Sequence, residues 1–178
     1  TFDARRTHRR YIGRVRFDHV PLMHSFAVSE DFVVLFQYPL KLRLTALLTG
    51  AASAMEMMRW DAHARVKVFV FDAHSTDAQS APLYTFETPP FFSMHCVNAY
   101  EEEVEGAVDV KGAGSRRLVV DLLAYDDANF VASTDTYGQL ELMRDPELRL
   151  HSKSHRMVPR LQRLTMQLPP RRDGRSRC

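Results

Sequence analysis

The sequence predicts an all-β protein, built either as a sandwich or as blades of a propeller. Three observations carry that prediction. Short segments rich in Val, Phe, Tyr and Leu recur along the chain, separated by polar or Gly-bearing breaks. Only one stretch, 44–58, shows apolar residues at helical spacing. The 178 residues are 45% apolar and 26% charged, a globular balance that excludes disordered, collagen-like and low-complexity chains.

Taken in order, IGRVRF (12–17) alternates apolar and basic residues and reads as a strand. MHSFAVS (23–29) alternates as well, which sets His24 on one face with Phe26 and Val28. The acidic pair Glu30–Asp31 marks a turn, and FVVLFQY (32–38) is continuously apolar, as a strand buried on both faces would be. Two strands joined at Ser29–Asp31 make a hairpin. Residues 44–58 place Leu44, Leu47, Leu48, Ala51, Met55 and Met58 on one helical stripe. RVKVFVFD (65–72) is a strictly alternating strand, and HSTDAQSAP (74–82) is a loop. Further strands are expected at 83–87, 91–98, 117–125 and 155–168, with the acid-rich 101–109 as a solvated loop or edge. No repeat of about 40–45 residues, the spacing of propeller blades, is visible.

Charge and cysteine content narrow the function. Six arginines precede residue 17 and four follow residue 170, against Asp3 and Asp173. Aromatic residues are not interleaved with them, and Arg outnumbers Lys throughout the chain, so nucleic-acid binding is not expected. The unbroken apolar runs are about a strand long, against the ~20 residues a membrane helix needs. Two cysteines, Cys96 and Cys178, make no disulfide framework and suit a reducing, intracellular compartment.

The signatures HExxH, GxSxG, CxxC and a Gly-rich phosphate loop are all missing. Of the eight histidines, six (His8, His19, His63, His74, His151 and His155) sit among polar or basic neighbours and read as surface residues. His24 (PLMHSFAV) and His95 (FFSMHCVNAY) each interrupt an apolar strand. Such an imidazole is either a core residue hydrogen-bonded to backbone or a metal ligand, since neutral imidazole on a rigid strand is a good donor to iron, copper or zinc. Their spacing alone implies no shared metal.

The blocks around these histidines resemble one family. PLMHSFAVSEDFVVLFQYPLKL (21–42), followed by PPFFSMHCVNAYEE (89–102), is similar to the carotenoid cleavage oxygenase family, which includes the retinoid isomerohydrolase. The matching positions are His24-Ser25-Phe26 with Ser29-Glu30, then His95 with Asn98-Ala99-Tyr100-Glu101-Glu102. Weaker matches are Trp60 before RVKVFVFD, LVVDLLAYDD (118–127) and HRMVPRLQRLTMQLP (155–169). The resemblance covers 12–169, a partial propeller domain, and leaves the Arg-rich 1–11 and 170–178 outside. At 61–65 and 101–115 the chain departs from the family pattern, both in expected loops.

That resemblance implies part of a seven-bladed β-propeller, about two to three blades with a short helical insertion. Its axial non-haem Fe(2+) would be held by four histidines, of which His24 and His95 match two. The implied activity is dioxygenase cleavage of a conjugated double bond in a carotenoid or apocarotenoid, with a lipophilic polyene and O2 as substrates, in the cytoplasm or a plastid. Residues 44–58, flanked by Lys41, Arg43 and Arg59, then read as a helix contacting a membrane surface or a tunnel entrance, or as one packed on the propeller rim. The alternative is a truncated, non-catalytic propeller piece whose open edges pair or aggregate.

Overall fold

The apolar run after the Glu30–Asp31 turn becomes β2 (Phe32–Gln37), and its two faces organise the first half of the molecule. The computed structural model describes residues 10–42, 57–108, 114–128 and 159–168, with backbone alone at 105–108 and 114. β2 lies between β1 (Ala27–Val28) and β5 (Val66–Asp72), and β5 pairs in turn with β6 (Tyr84–Thr88). All the pairings are antiparallel. Val34 faces Val70 and Phe36 faces Val68 across the ladder, so β-branched and aromatic side chains stack on one face, and all four are buried. The hairpin expected at Ser29–Asp31 joins β1 to β2.

The opposite face of β5 is covered by the chain before residue 20. Phe17 meets Phe69 edge-on at 5.7 Å, Lys67 pairs with Asp18, and Gly13 lies against Phe71. IGRVRF is therefore not the strand its alternation predicts. It lies across a sheet face instead of along an edge, and its one backbone bond to this region runs from the Arg14 amide to the Ser80 carbonyl, 2.8 Å. Alternation reports two-sided burial, and an extended arm on a sheet face produces the same pattern.

Between β2 and β5 the chain makes a ribbon of β3 (Leu40–Leu42) and β4 (Met58–Trp60). Of the expected helix at 44–58, Met58 opens β4, so the helical stripe does not reach the end assigned to it. Residues 44–56 lie outside the described residues.

The second sheet is β7 (Phe92–Val108), β8 (Gly114–Tyr125) and β9 (Arg160–Leu168), again antiparallel. β7 runs through the acidic stretch, so of the loop or edge expected there the structure forms an edge strand. Glu102 and Glu103 stand directly opposite Arg117 and Arg116, and the Arg117 guanidinium donates to Glu102. Cross-strand opposite charges make these acids strand residues. In the middle of the apolar run LVVDLLAY, Asp121 faces Arg163 on β9 and receives two bonds from its guanidinium, at 2.8 and 2.9 Å. The same guanidinium lies 5.9 Å from the Tyr100 ring centre.

One apolar cluster joins the two sheets. Val34, Phe36 and Val68 share it with Leu118, Val120, Leu122, Met166 and Leu168. The Tyr38 ring stacks on Phe36 at 5.9 Å and meets Phe91 and Phe92 edge-on at 5.6 and 5.2 Å. The described residues are all-β and contain no helix, consistent with part of a β-propeller.

Two predictions follow from this packing. A Cβ on Gly13 would stand 2.6 Å from the Ser80 carbonyl oxygen and 2.9 Å from the Phe71 ring, at φ +157°. Gly13→Ala should lift the arm and cost about 1–3 kcal/mol, read as a lower urea midpoint with faster exchange of the Arg14 amide. The Arg163 hydrogen bonds hold the Asp121 carboxyl below its ordinary value of 3.8. Its stabilising effect is full above that value and is lost as pH falls through the lower folded-state value. Asp121→Asn should therefore melt lower than the parent at pH 7, and the difference should shrink in strong acid.

Candidate metal centre

His24 lies in the segment leading into β1, where residues alternate inward and outward. Ala27 is buried, whereas His24, Phe26 and Val28 are exposed, the last two at 54% each. The shared face expected for these three is therefore present, but it is open. Nothing in an alternating pattern says which side a neighbouring layer covers.

His95 reaches the open side through an irregularity. β7 and β8 begin with Phe92 opposite Tyr125 and Ser93 opposite Ala124. Continued evenly, that register would put His95 opposite Leu122, on the face of the buried Leu118, Val120, Leu122 and Ala124. A bulge between Ser93 and His95 instead sets His95 opposite Leu123 and hands the Leu122 position to Cys96. A second bulge, between Cys96 and Asn98, follows at once. His95 is exposed as a result, and so is Val97, at 58%.

The fold brings the two histidines together. Their ring centres are 5.1 Å apart, with the planes at 78°. The His24 Nδ1 lies 3.1 Å from the Met94 carbonyl oxygen. A carbonyl only accepts, so Nδ1 carries the proton and Nε2 keeps its lone pair, the arrangement by which backbone carbonyls orient metal-binding imidazoles. One residue further along each segment, the Cys96 amide donates to the Ser25 hydroxyl at 3.0 Å. Farther down β7, the Glu101 carboxylate accepts from the Ser29 hydroxyl and from the Asp31 amide, the latter at 3.2 Å. Sequence reasoning matched Ser25, Ser29 and Glu101 to a motif without assigning them work. Their work is to join the two histidine blocks.

The other histidines separate from this pair. His19, expected at the surface, is half-buried: its Nε2–H donates to the Tyr38 carbonyl at 3.0 Å, and the Gln37 amide donates to its Nδ1 at 3.4 Å. His63 and His74 are exposed, with His74 beside the Glu30 carbonyl and Asp31. His8, His151 and His155 lie outside the described residues. Polar neighbours in sequence thus misjudged His19, and apolar neighbours misjudged the exposure of His24 and His95. Cys96 is no competing donor, because it faces the Leu122 side and burial pushes its thiol up from its ordinary value of 9.0.

Among the described residues no group of three or more His, Cys, Asp and Glu could hold a metal. The pair is right in kind for ferrous iron, which takes imidazole donors, one here from the segment leading into β1 and one from β7. Among the same residues no helix is long and apolar enough to cross a membrane.

The all-β pair of sheets is consistent with the fold that the carotenoid cleavage oxygenase resemblance implies. The family model described as retinal pigment epithelial membrane protein matches residues 1–177, and the chain belongs to that family. Carotenoid cleavage dioxygenase 8 homolog A, chloroplastic, of Oryza sativa subsp. japonica is 28% identical over 149 residues, 82% of this chain and 25% of that protein. Homolog B of the same plant is 31% identical over 110 residues, 60% of this chain and 19% of its own length. Beta,beta-carotene 15,15'-dioxygenase of Mus musculus is 30% identical over 110 residues, 60% of this chain and 17% of that protein. The chain spans a quarter or less of the length of these relatives.

Proposed function

We propose that this chain is part of a non-haem, Fe(II)-dependent dioxygenase that cleaves a conjugated double bond of a carotenoid or apocarotenoid to carbonyl products. The observation that carries the reading is the adjacency of His24 and His95, 5.1 Å apart between ring centres. Residues distant in sequence, each at the matching position of a family block, stand side by side on an exposed face. Residues 12–169 on this reading are the partial propeller domain, and the remaining ligands come from elsewhere in the whole protein.

The residues present divide the work. His24 would offer Nε2 to the iron, since Nδ1 is held by the Met94 carbonyl. His95 would offer the second imidazole. Bound ferrous iron would supply the redox chemistry that joins O2 to the polyene. Phe26, Val28 and Val97, exposed near the histidines in sequence, give the site apolar walls suited to a polyene that has no hydrogen-bonding groups along its chain. The stretch 44–58, which connects β3 to β4 and whose last residue opens β4, would contact a membrane or frame a substrate entrance. Chloroplastic relatives support a plastid as the compartment, with the cytoplasm as the other choice.

A second reading is a non-catalytic, truncated propeller piece. It rests on the observation that the described residues bring only two donors together. The two readings separate by experiment. In the whole protein, His24→Ala and His95→Ala should each abolish bound iron, measured by metal analysis, and carotenoid cleavage with it. Stoichiometric iron in His24→Ala overturns the site. The isolated 178-residue chain, given Fe(II), O2 and a carotenoid, should form no aldehyde above the level of free iron, because two imidazoles do not make a preformed site. If the whole protein of wild-type sequence binds no iron either, the non-catalytic reading holds.

A further inference from the structure

Among the described residues β7 is an edge strand, paired with β8 on one side only. At the bulged stretch around His95, side chains fill the place that a neighbouring strand would take. The His24 ring donates to the carbonyl of Met94, the residue before His95, and the Ser25 hydroxyl accepts from the amide of Cys96, the residue after it. His95 is therefore bracketed by two backbone anchor points, both held by the dipeptide that carries the other histidine. Bulged strands have unsatisfied ladder groups and looser backbones. An imidazole on one keeps a fixed direction only if something replaces the missing bonds.

We propose that Ser25 is a positioning residue for the metal site: it ligates nothing, and it fixes the backbone of the His95 bulge so that both imidazoles present their nitrogens together before metal arrives. The inference rests on the reading of His24 and His95 as iron ligands. The Glu101 carboxylate, which holds Ser29 and the Asp31 amide, is the outer end of the same fastening and limits sliding of the 24–31 segment along β7. Ser25 is half-buried, and its hydroxyl is the acceptor recorded for the Cys96 amide, so an alanine there strips a partner from a backbone donor at the bulge.

The test uses the whole protein, with Fe(II) affinity measured by competition against a chromophoric chelator and with thermal melting of the metal-free form measured beside it. Ser25→Ala should weaken Fe(II) binding about 10–100-fold, the range typical for loss of a group that orients a ligand. Ser25→Thr, which keeps the hydroxyl, should restore affinity to within about threefold of the parent. A purely structural serine would lower the melting temperature and leave Fe(II) affinity at the parental value, and that result overturns the proposal. If Ser25→Ala does not fold, Ser25→Val, which has the shape of Thr and no hydroxyl, should show the same loss of about 10–100-fold; parental affinity in that variant overturns the proposal equally. His24→Ala serves as the control that separates the two inferences. Iron retained in His24→Ala sinks the ligand assignment itself, whereas iron lost in His24→Ala and parental affinity in Ser25→Ala sinks only the role of Ser25.

Discussion

Among the described residues, the open edge of β7 is the constraint around which the two sheets are arranged. Backbone amides and carbonyls on a sheet edge need partners, and an unpartnered edge invites another chain. At Met94 and Cys96 the partners are the side chains of His24 and Ser25, and at Glu101 the strand's own carboxylate reaches out to the β1–β2 turn. These polar contacts set one sheet against the other along the rim. The aromatic group of Tyr38, Phe36, Phe91 and Phe92 does the same in the interior. The hydroxyl of Tyr38 goes into that interior with its ring, and burial pushes its acidity far from the usual phenol range, so it stays neutral. Dry aromatic packing gives the joint its energy, and the rim contacts give it direction.

What the sequence revealed depends on which physical signal each residue carried. Strand β5 was legible because Val66, Val68 and Val70 recur at period two, and β2 because its run is continuously apolar and rich in β-branched and aromatic residues. Phe32, Val34 and Phe36 share one core with the β5 valines. The Ser29–Asp31 hairpin was legible because a short polar break separates two apolar runs. The acids at 101–103 left loop and edge open because their partners, Arg116 and Arg117, come from the next strand, and a run of like charges looks solvated until the opposite strand is known. The arm at 12–17 misled for a related reason, since half-buried alternation does not distinguish lying beside a strand from lying on a sheet.

The site was legible as two blocks and illegible as a geometry. Motif matching singled out His24 and His95, while their contact arises from the antiparallel pairing of β1 with β2 and from the placement of β1 against β7. Exposure was inverted: apolar neighbours suggested burial, yet Phe26, Val28 and Val97 are themselves exposed in this portion of the chain. Apolar composition predicts that a face will be covered by something, and it is silent on whether that cover is the same segment, another part of the protein or a ligand. His19 shows the converse. Its half-buried imidazole is satisfied by the Tyr38 carbonyl and the Gln37 amide, groups distant in sequence that its polar neighbours do not foretell.

The two bulges flanking His95 give the strand an arithmetic. Each adds one residue to β7 relative to β8, so residues 95 and 96 occupy a window in which inward and outward are exchanged, and from Asn98 onward the original parity returns. Inside that window the direction of His95 depends on which residue the ladder skips. Paired evenly from Ser93 onward, the same letters would read differently: Met94 would stand opposite Leu123, the imidazole of His95 would turn to the Leu122 side, and the thiol of Cys96 would turn outward in its place. The outward face of His95 is thus written in how the residues between Ser93 and Asn98 are spaced as much as in their identities.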